Sequence, residues 1–382
     1  MALATIAARF KQSVCFTIIN MNKIRIVFCW TGLTAYMPFC WKALMALPNV
    51  EVMAFIEKRR DSICEPYDMA AMQGIPFKIR DREDKLVPRD WIEPIKTFNA
   101  DLIQVTGWFG RLQRCVAQSR ELAHIPKIMT LDHQYYGTLK QRLAPWILGR
   151  YLKRFAKVGV TGERAAVYAK HLGFQDNQIE PKVIGINIKG FVNARNANGN
   201  HYPNRFLFVG RYVASKGLDV LLDAYKTYRR QVENPWPLTC CGAGPQKGLR
   251  ENMEGVEDLG FKLPEKLPKI FAEHGVFVMP SLHEPWGIVI AEAAASGMPV
   301  IATSACGAVD EFVRDGVNGI IVRPGSAEEL SNAFIKMHEQ KEKFINSGET
   351  LSRQLTESYD FEHWAVRWRD LALELKQARK AG

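Results

Sequence analysis

The sequence predicts an α/β fold of two parallel-sheet domains, and three observations predict it. At 382 residues the chain exceeds one ordinary domain of about 150, and 47% hydrophobic content is enough for more than one core. Short apolar runs alternate with helix-length segments, the pattern of parallel strands covered by helices on both faces. The alternation breaks at 190–204, where GFVNARNANGNHYPN is rich in Asn and Gly and has no period, so this segment reads as a linker. Residues 21–189 then form one domain, 205–356 a second, and 357–382 a closing helix. Residues 1–20 hold Arg9 and Lys11 but no apolar core with a small-residue cleavage site, and read as an N-terminal extension rather than a secretory signal.

In the first domain the strands fall at 23–30, 52–56, 75–79, 102–106, 128–131 and 158–161. Ligands of such sheets collect beyond the carboxyl ends of strands. Three strand ends carry chemistry: Gly32, Thr106-Gly107-Trp108, and Asp132-His133. His133 at a strand end can bond a hydroxyl or pass a proton, and Asp132 can orient the imidazole; the plainer reading of either is a satisfied structural residue. Leu139 to Lys157 mixes Trp146, Ile147, Leu148, Tyr151 and Phe155 with six cations. It reads as a helix beginning at Pro145. Such a helix either lies on an anionic surface or packs on the sheet with a solvated basic face.

The second domain opens with a strand at 205–209, followed by Gly210-Arg211-Tyr212-Val213-Ala214-Ser215-Lys216-Gly217. Ser215 reads as the N-cap of a helix over 218–232. Arg211 at the strand end and Lys216 at the helix start can converge on one anion; taken alone, they are equally two solvated cations. The next strand ends in Cys240-Cys241-Gly242-Ala243-Gly244-Pro245, where glycines permit close backbone approach. No third Gly completes a dinucleotide fingerprint. Strands follow at 256–261, 276–279 and 319–322, with helices at 326–345 and 359–378.

The densest chemistry lies in Pro280-Ser281-Leu282-His283-Glu284-Pro285-Trp286-Gly287-Ile288-Val289-Ile290-Ala291-Glu292. A loop after the 276–279 strand leads into a helix from Gly287. A helix N-terminus offers unpaired amides, here of Gly287, Ile288 and Val289, and a positive dipole to an anion. Glu284 just before the helix and Glu292 inside it flank that tip. Carboxylates on both sides of a phosphate site suit a ligand that is phosphorylated and polyhydroxylated, such as a nucleotide-sugar.

Residues 1–190 hold 28 Lys/Arg against 16 Asp/Glu, or +12, whereas residues 191–382 carry −1 of the net +11. The basic half suits an anionic membrane surface or acceptor. No nucleic-acid motif accompanies it, so nucleic acid is not expected as a partner. No run of about 18 apolar residues predicts a membrane span. The eight cysteines have neither metal-ligand nor redox spacing and read as reduced buried thiols, which fits a cytoplasmic protein, peripheral at most to the inner face of a membrane.

Taken in order, Gly210-Arg211…Lys216-Gly217, Gly242-x-Gly244-Pro245, Pro280-Ser281, Glu284-x7-Glu292, Gly297-x-Pro299-Val300 and Gly307…Glu311 resemble glycosyltransferase family 4, closely over 205–340 and weakly over 22–190. The resemblance implies a GT-B fold, two Rossmann-like domains facing a cleft, with the last helix crossing back to the first domain. It implies that the second domain binds a nucleotide-sugar donor, expected to be a UDP- or GDP-sugar, and the first the acceptor; the basic first half suits a lipid-linked acceptor of envelope polysaccharide assembly, and a soluble sugar is the alternative. Arg211 and Lys216 would hold the diphosphate, Glu292 the ribose and Glu284 the sugar. His133, with Trp108 and Asp132 beside it, would match the first domain's active-site histidine, and Phe261 would lie near the base. Two positions depart from the family: a lone Gly32 stands for Gly-Gly, and Ile184-Gly185 stands for Asn-Gly at the end of the first domain.

The reaction implied is retaining hexosyl transfer, with the leaving phosphate stabilised by cations. No Asp-x-Asp is present, and Arg211 and Lys216 supply the positive charge, so a metal-independent reaction without a cofactor is expected. An epimerase- or phosphorylase-like enzyme and a non-catalytic nucleotide-sugar-binding subunit are the alternatives.

Overall fold

The computed structural model describes residues 23–32, 36–58, 69–250 and 253–381. The expected N-terminal extension, two of the eight cysteines (Cys15 and Cys64), and Leu33 and Thr34 of the first turn lie outside them. The first domain runs β1 (Ile24–Thr31), α1 (Met37–Met45), β2 (Val50–Lys58), β3 (Phe77–Asp81), α2 (Arg89–Phe98), β4 (Leu102–Thr106), α3 (Arg111–Gln118), β5 (Lys127–Leu131), α4 (Leu139–Leu152), β6 (Lys157–Val160), α5 (Glu163–His171) and β7 (Ile179–Glu180). Its sheet is parallel, in the order β3-β2-β1-β4-β5-β6-β7. Ile26, Val27, Phe28 and Cys29 of β1 are all fully buried because helices cover both faces. Phe28 meets Trp41 of α1, whereas Val27 and Cys29 join the core on the opposite face.

The chain continues with α6 (Ile188–Ala197), β8 (Phe206–Val209), α7 (Leu218–Gln231), β9 (Leu238–Cys241), β10 (Val256–Asp258), α8 (Leu267–Ala272), β11 (Val276–Met279), α9 (Ile288–Ala295), β12 (Val300–Thr303), α10 (Val309–Phe312), β13 (Gly319–Val322), α11 (Ala327–Thr356) and α12 (Phe361–Ala381). The second sheet is also parallel, ordered β10-β9-β8-β11-β12-β13. Each sheet reverses its winding once, between β1 and β4 and between β8 and β11. Crevices for ligands open at such reversals.

Three local expectations are corrected. The segment 190–204, read as an irregular linker, largely belongs to helix α6. Asn187 caps it by accepting from the Gly190 amide at 3.0 Å. The buried Arg195 donates to the carbonyls of Phe271, Ala272, His274 and Ser296 at the ends of α8 and α9, and to that of His201. Carbonyls at helix C-termini lack intrahelical partners and attract a cation, so a segment that looks solvated is tied down by its one buried guanidinium. Second, Pro145 sits inside α4 instead of starting it. A proline leaves the carbonyl four residues back without its donor. Here that carbonyl is Gln141's, and the His171 ring lies 3.2 Å from it. Third, Gly217 and not Ser215 caps α7.

Two crossings join the domains, and they run side by side. Ile186 N donates to Tyr359 O at 2.8 Å, and Phe361 N to Ile186 O at 3.1 Å. Helix α12 then returns to the first domain. Trp364 and Trp368 pack on Phe28, with centroids 6.0 and 5.2 Å away, and Trp364 Nε1 donates to Val183 O at 2.7 Å. A Cβ on Gly185 would lie 3.1 Å from both Phe361 and Trp364, so the Ile184-Gly185 crossing is fitted closely to the returning helix. Among the described residues no helix is long and apolar enough to cross a membrane.

Candidate functional site

The loops after β8 and β11 lie at the reversal of the second sheet and are stitched together. Leu282 N and His283 N both donate to Ser215 O, at 2.9 and 3.1 Å. Gly217 has φ +66°, and a Cβ there would fall 2.3 Å from Pro280 O, so only glycine permits this approach. The result brings Lys216 Nζ against Glu284 Oε2 as an ion pair, with side chains only 12% and 11% exposed. Two residues 68 positions apart, singled out separately by sequence, are thus joined. Arg211 is exposed at the rim of the same loop.

The glycines after β9 serve the protein itself. A Cβ on Gly242 would lie 1.9 Å from Gly210 O, and one on Gly244 2.5 Å from Tyr212 O. They therefore let the β9 loop close on the β8 loop, where sequence suggested approach to a ligand. Buried Tyr212 donates to Asp258 Oδ1 at 2.7 Å, and Gly260 N donates to the same oxygen at 3.0 Å. These bonds set the turn that carries exposed Phe261 beyond β10.

Gly287, with φ +103°, caps α9, so Ile288 and Val289 are its first residues, and their amides have no intrahelical acceptor. Glu292 is its fifth residue. Its Oε2 is buried without a hydrogen-bond partner, and burial pushes its carboxyl up to about 8. The Trp286 side chain points elsewhere. It is buried at the domain junction, donating to Glu311 Oε2 at 3.1 Å and packing against Phe312 and Tyr359. Its backbone alone borders the α9 tip.

Across the cleft, His133 Nδ1 lies 2.6 Å from Asp132 Oδ1 beyond β5. Their contact raises the His133 pKa; at Asp132 partial desolvation is the largest influence and pushes upward, but the His133 hydrogen bond, the His133 charge and a backbone hydrogen bond together outweigh it, and the net shift is downward. Trp108 is buried against Tyr168, leaving an edge toward a groove of 450 Å³ beside His133. Gly32 has φ +76° and donates its amide to Glu57 O at 2.8 Å.

Gln134, the residue after His133, was missed by sequence. Its Nε2 donates to Glu284 O and to Pro285 O, both at 2.8 Å. Arg164 donates to Gln134 Oε1 at 3.2 Å and forms a fork to Asp310 at 2.6 and 2.8 Å. Nothing in a neutral amide or a lone arginine marks such partners; the pairings exist only once the two domains face each other. These bonds fix the His133 loop against the Glu284 loop. Among the described residues no three His, Cys, Asp or Glu side chains gather as a metal site would require.

Known proteins resemble the chain in sequence and in fold. Residues 203–340 match the model of the glycosyl transferases group 1 family. The chain is 26% identical over 273 residues to an uncharacterized glycosyltransferase of Methanocaldococcus jannaschii, covering 69% of this chain and 73% of that one. A second uncharacterized glycosyltransferase of that organism is 32% identical over 166 residues, or 41% of this chain and 42% of its own length. In three dimensions the chain is similar to Anabaena HepE in complex with UDP-glucose, with TM-score 0.66, 18% identity, and coverage of 92% of this chain and 100% of that one. The second domain thus resembles the group 1 glycosyl transferases over residues 203–340, the two sheets have the GT-B architecture, and the chain is a glycosyltransferase.

Proposed function

We propose that the chain is a retaining family 4 enzyme that moves a hexose from a UDP- or GDP-sugar to a hydroxyl acceptor, without a metal or other cofactor. One observation carries this reading: the Lys216–Glu284 pair stands beside the amide-bearing tip of α9, with an unpaired oxygen of Glu292 one turn further in. A diphosphate would take Lys216 from Glu284 and add Arg211 and the amides of Ile288 and Val289. Glu284, so released, would accept from the donor sugar, and Glu292 from the ribose hydroxyls. Phe261 offers a ring for the base. The UDP-glucose held by the Anabaena neighbour supports a donor of this class.

As the anomeric carbon–phosphate bond breaks, negative charge grows on the leaving oxygen and positive charge on the sugar. Lys216, Arg211 and a helix N-terminus would oppose the first. The acceptor hydroxyl attacks from the face the phosphate leaves, giving that phosphate its proton, so the anomeric configuration is kept. His133, held by Asp132, bonds the sugar from the acceptor side. The basic first half supports an acceptor carried on an anionic surface, such as a lipid-linked sugar at the cytoplasmic face of a membrane.

The test is donor turnover followed by proton NMR, with and without a chelator. Slow hydrolysis of an α-linked UDP- or GDP-hexose, releasing the α anomer first at a chelator-independent rate, supports the reading. Release of the β anomer first refutes retention, and loss of turnover in chelator refutes metal independence.

A further inference from the structure

Helix α4 turns outward what a folded domain normally hides. Leu139, Leu143, Trp146 and Ile147 are 71%, 38%, 80% and 73% exposed. Their spacing of four, three and one places them along one ridge at 3.6 residues per turn. Arg142 flanks the ridge on one side, Lys140 on the other, and Arg150 lies within it, with Lys153 and Arg154 just past the helix end; all five are exposed. No Asp or Glu occurs between Asp132 and Glu163. The inner face is anchored in the core by Ala144, Tyr151 and Leu152, so the ridge is rigid.

We propose that α4 docks on an anionic lipid bilayer, lying in its interface with the apolar ridge inserted and the cations at the headgroups. The inference deepens the acceptor side of the proposed function and rests on it. A single exposed leucine is ordinary, but four large apolar residues along one ridge are an interaction surface. Cations on both flanks of that ridge complement an anionic headgroup layer, and their long stems can lie over the apolar strip. Trp146 suits the boundary between acyl chains and headgroups.

The position of the ridge gives the docking a purpose. Helix α4 supplies Ala144, Ile147 and Leu148 to the 450 Å³ groove whose other walls include Phe109, Tyr136 and His133. Ile147 belongs to both surfaces. A bilayer against the ridge therefore meets the open side of this groove and presents an amphipathic acceptor next to His133, across from Glu284.

The experiment is sedimentation of the whole protein with vesicles of equal parts phosphatidylglycerol and phosphatidylcholine, against phosphatidylcholine alone. The wild type should bind the anionic vesicles at least ~10-fold more tightly, and added salt should weaken the binding. Trp146→Ser with Ile147→Ser, and separately Arg142→Glu with Lys153→Glu, should each weaken it at least ~10-fold. These side chains are exposed, so thermal midpoints should be unchanged. Equal binding to both vesicle types, or full binding by the Ser pair, overturns the proposal. So does a wild-type dimer that the Ser pair converts to monomer, because a second copy would then be the occupant. The nucleotide response is read on the same samples: a protein that binds nucleotide but not anionic vesicles fails this inference alone, and one that binds vesicles but no nucleotide fails the functional reading.

Discussion

Lys216 and Glu284 neutralise each other beside the tip of α9, where the proposed donor diphosphate would sit, so a cation and a carboxylate of the candidate site are held as one pair. Removing one partner leaves the other poorly hydrated and alone. Lys216→Met and Glu284→Gln should each cost about 1–3 kcal/mol by chemical denaturation. Lys216→Met combined with Glu284→Gln should cost less than the sum of the singles, because no charge is left stranded. Strict additivity would mean that the pair is not formed in solution.

Glu292 gives stability a pH dependence of unusual sign. Its folded pKa is raised to about 8, against an ordinary value near ~4.3. Between those values the folded state keeps a proton that the unfolded state has lost. Stability from this group is therefore greatest at low pH, declines as pH rises by at most about 1.4 kcal/mol per unit, and levels off above the folded value. Subtracting the pH profile of Glu292→Gln from that of the wild type should isolate this slope. A flat difference would show that Glu292 is solvated.

Asp132 holds the His133 pKa above its ordinary value. Asp132→Asn should lower the His133 midpoint, read by NMR of the imidazole. The limb of the pH–rate profile that follows His133 should move with it. The stabilisation from this contact is present below the unfolded His value and disappears as pH rises through the folded one. It is small, because the pair sits half-exposed at the cleft rim.

Gln134 bonds both Glu284 O and Pro285 O from the opposite domain. Gln134→Ala should leave nucleotide affinity within about 2-fold, since the proposed nucleotide contacts all lie in the second domain. Turnover should fall by about 10-fold or more, because the two halves of the site lose their registration. Calorimetry with UDP or GDP beside steady-state rates separates the two effects. An equal loss in both would assign Gln134 to the fold and not to alignment.

Much of this was legible in the chain. Apolar runs marked β1, β4, β5, β8, β11 and β13 closely, because a strand buried on both faces cannot alternate with polar residues. Two-residue β7 was missed because so short a strand has no pattern. The Glu284-x7-Glu292 stretch announced the α9 tip, since capping and loop chemistry are local. What failed was non-local. Helix α6 looked like a linker because its order comes from Arg195 reaching the ends of α8 and α9. Trp286 looked like part of the donor site, but its ring is needed between Glu311 and Tyr359. Gly242 and Gly244 read as room for a ligand, and the approach that already requires them is that of the neighbouring loop.

The Lys216–Glu284 loop pair and the tip of α9 are proposed to form a donor diphosphate site. The most direct measurement is a thermal-shift panel with UDP, GDP, ADP and their common sugars, on the wild type and on Lys216→Ala. Ligand at a hundredfold excess over Kd adds about 2.7 kcal/mol of stability, an easily read shift. A clear rise is expected with UDP or GDP and their sugars in the wild type, and its loss in the variant. No rise with any nucleotide, or the same rise in both proteins, would contradict it.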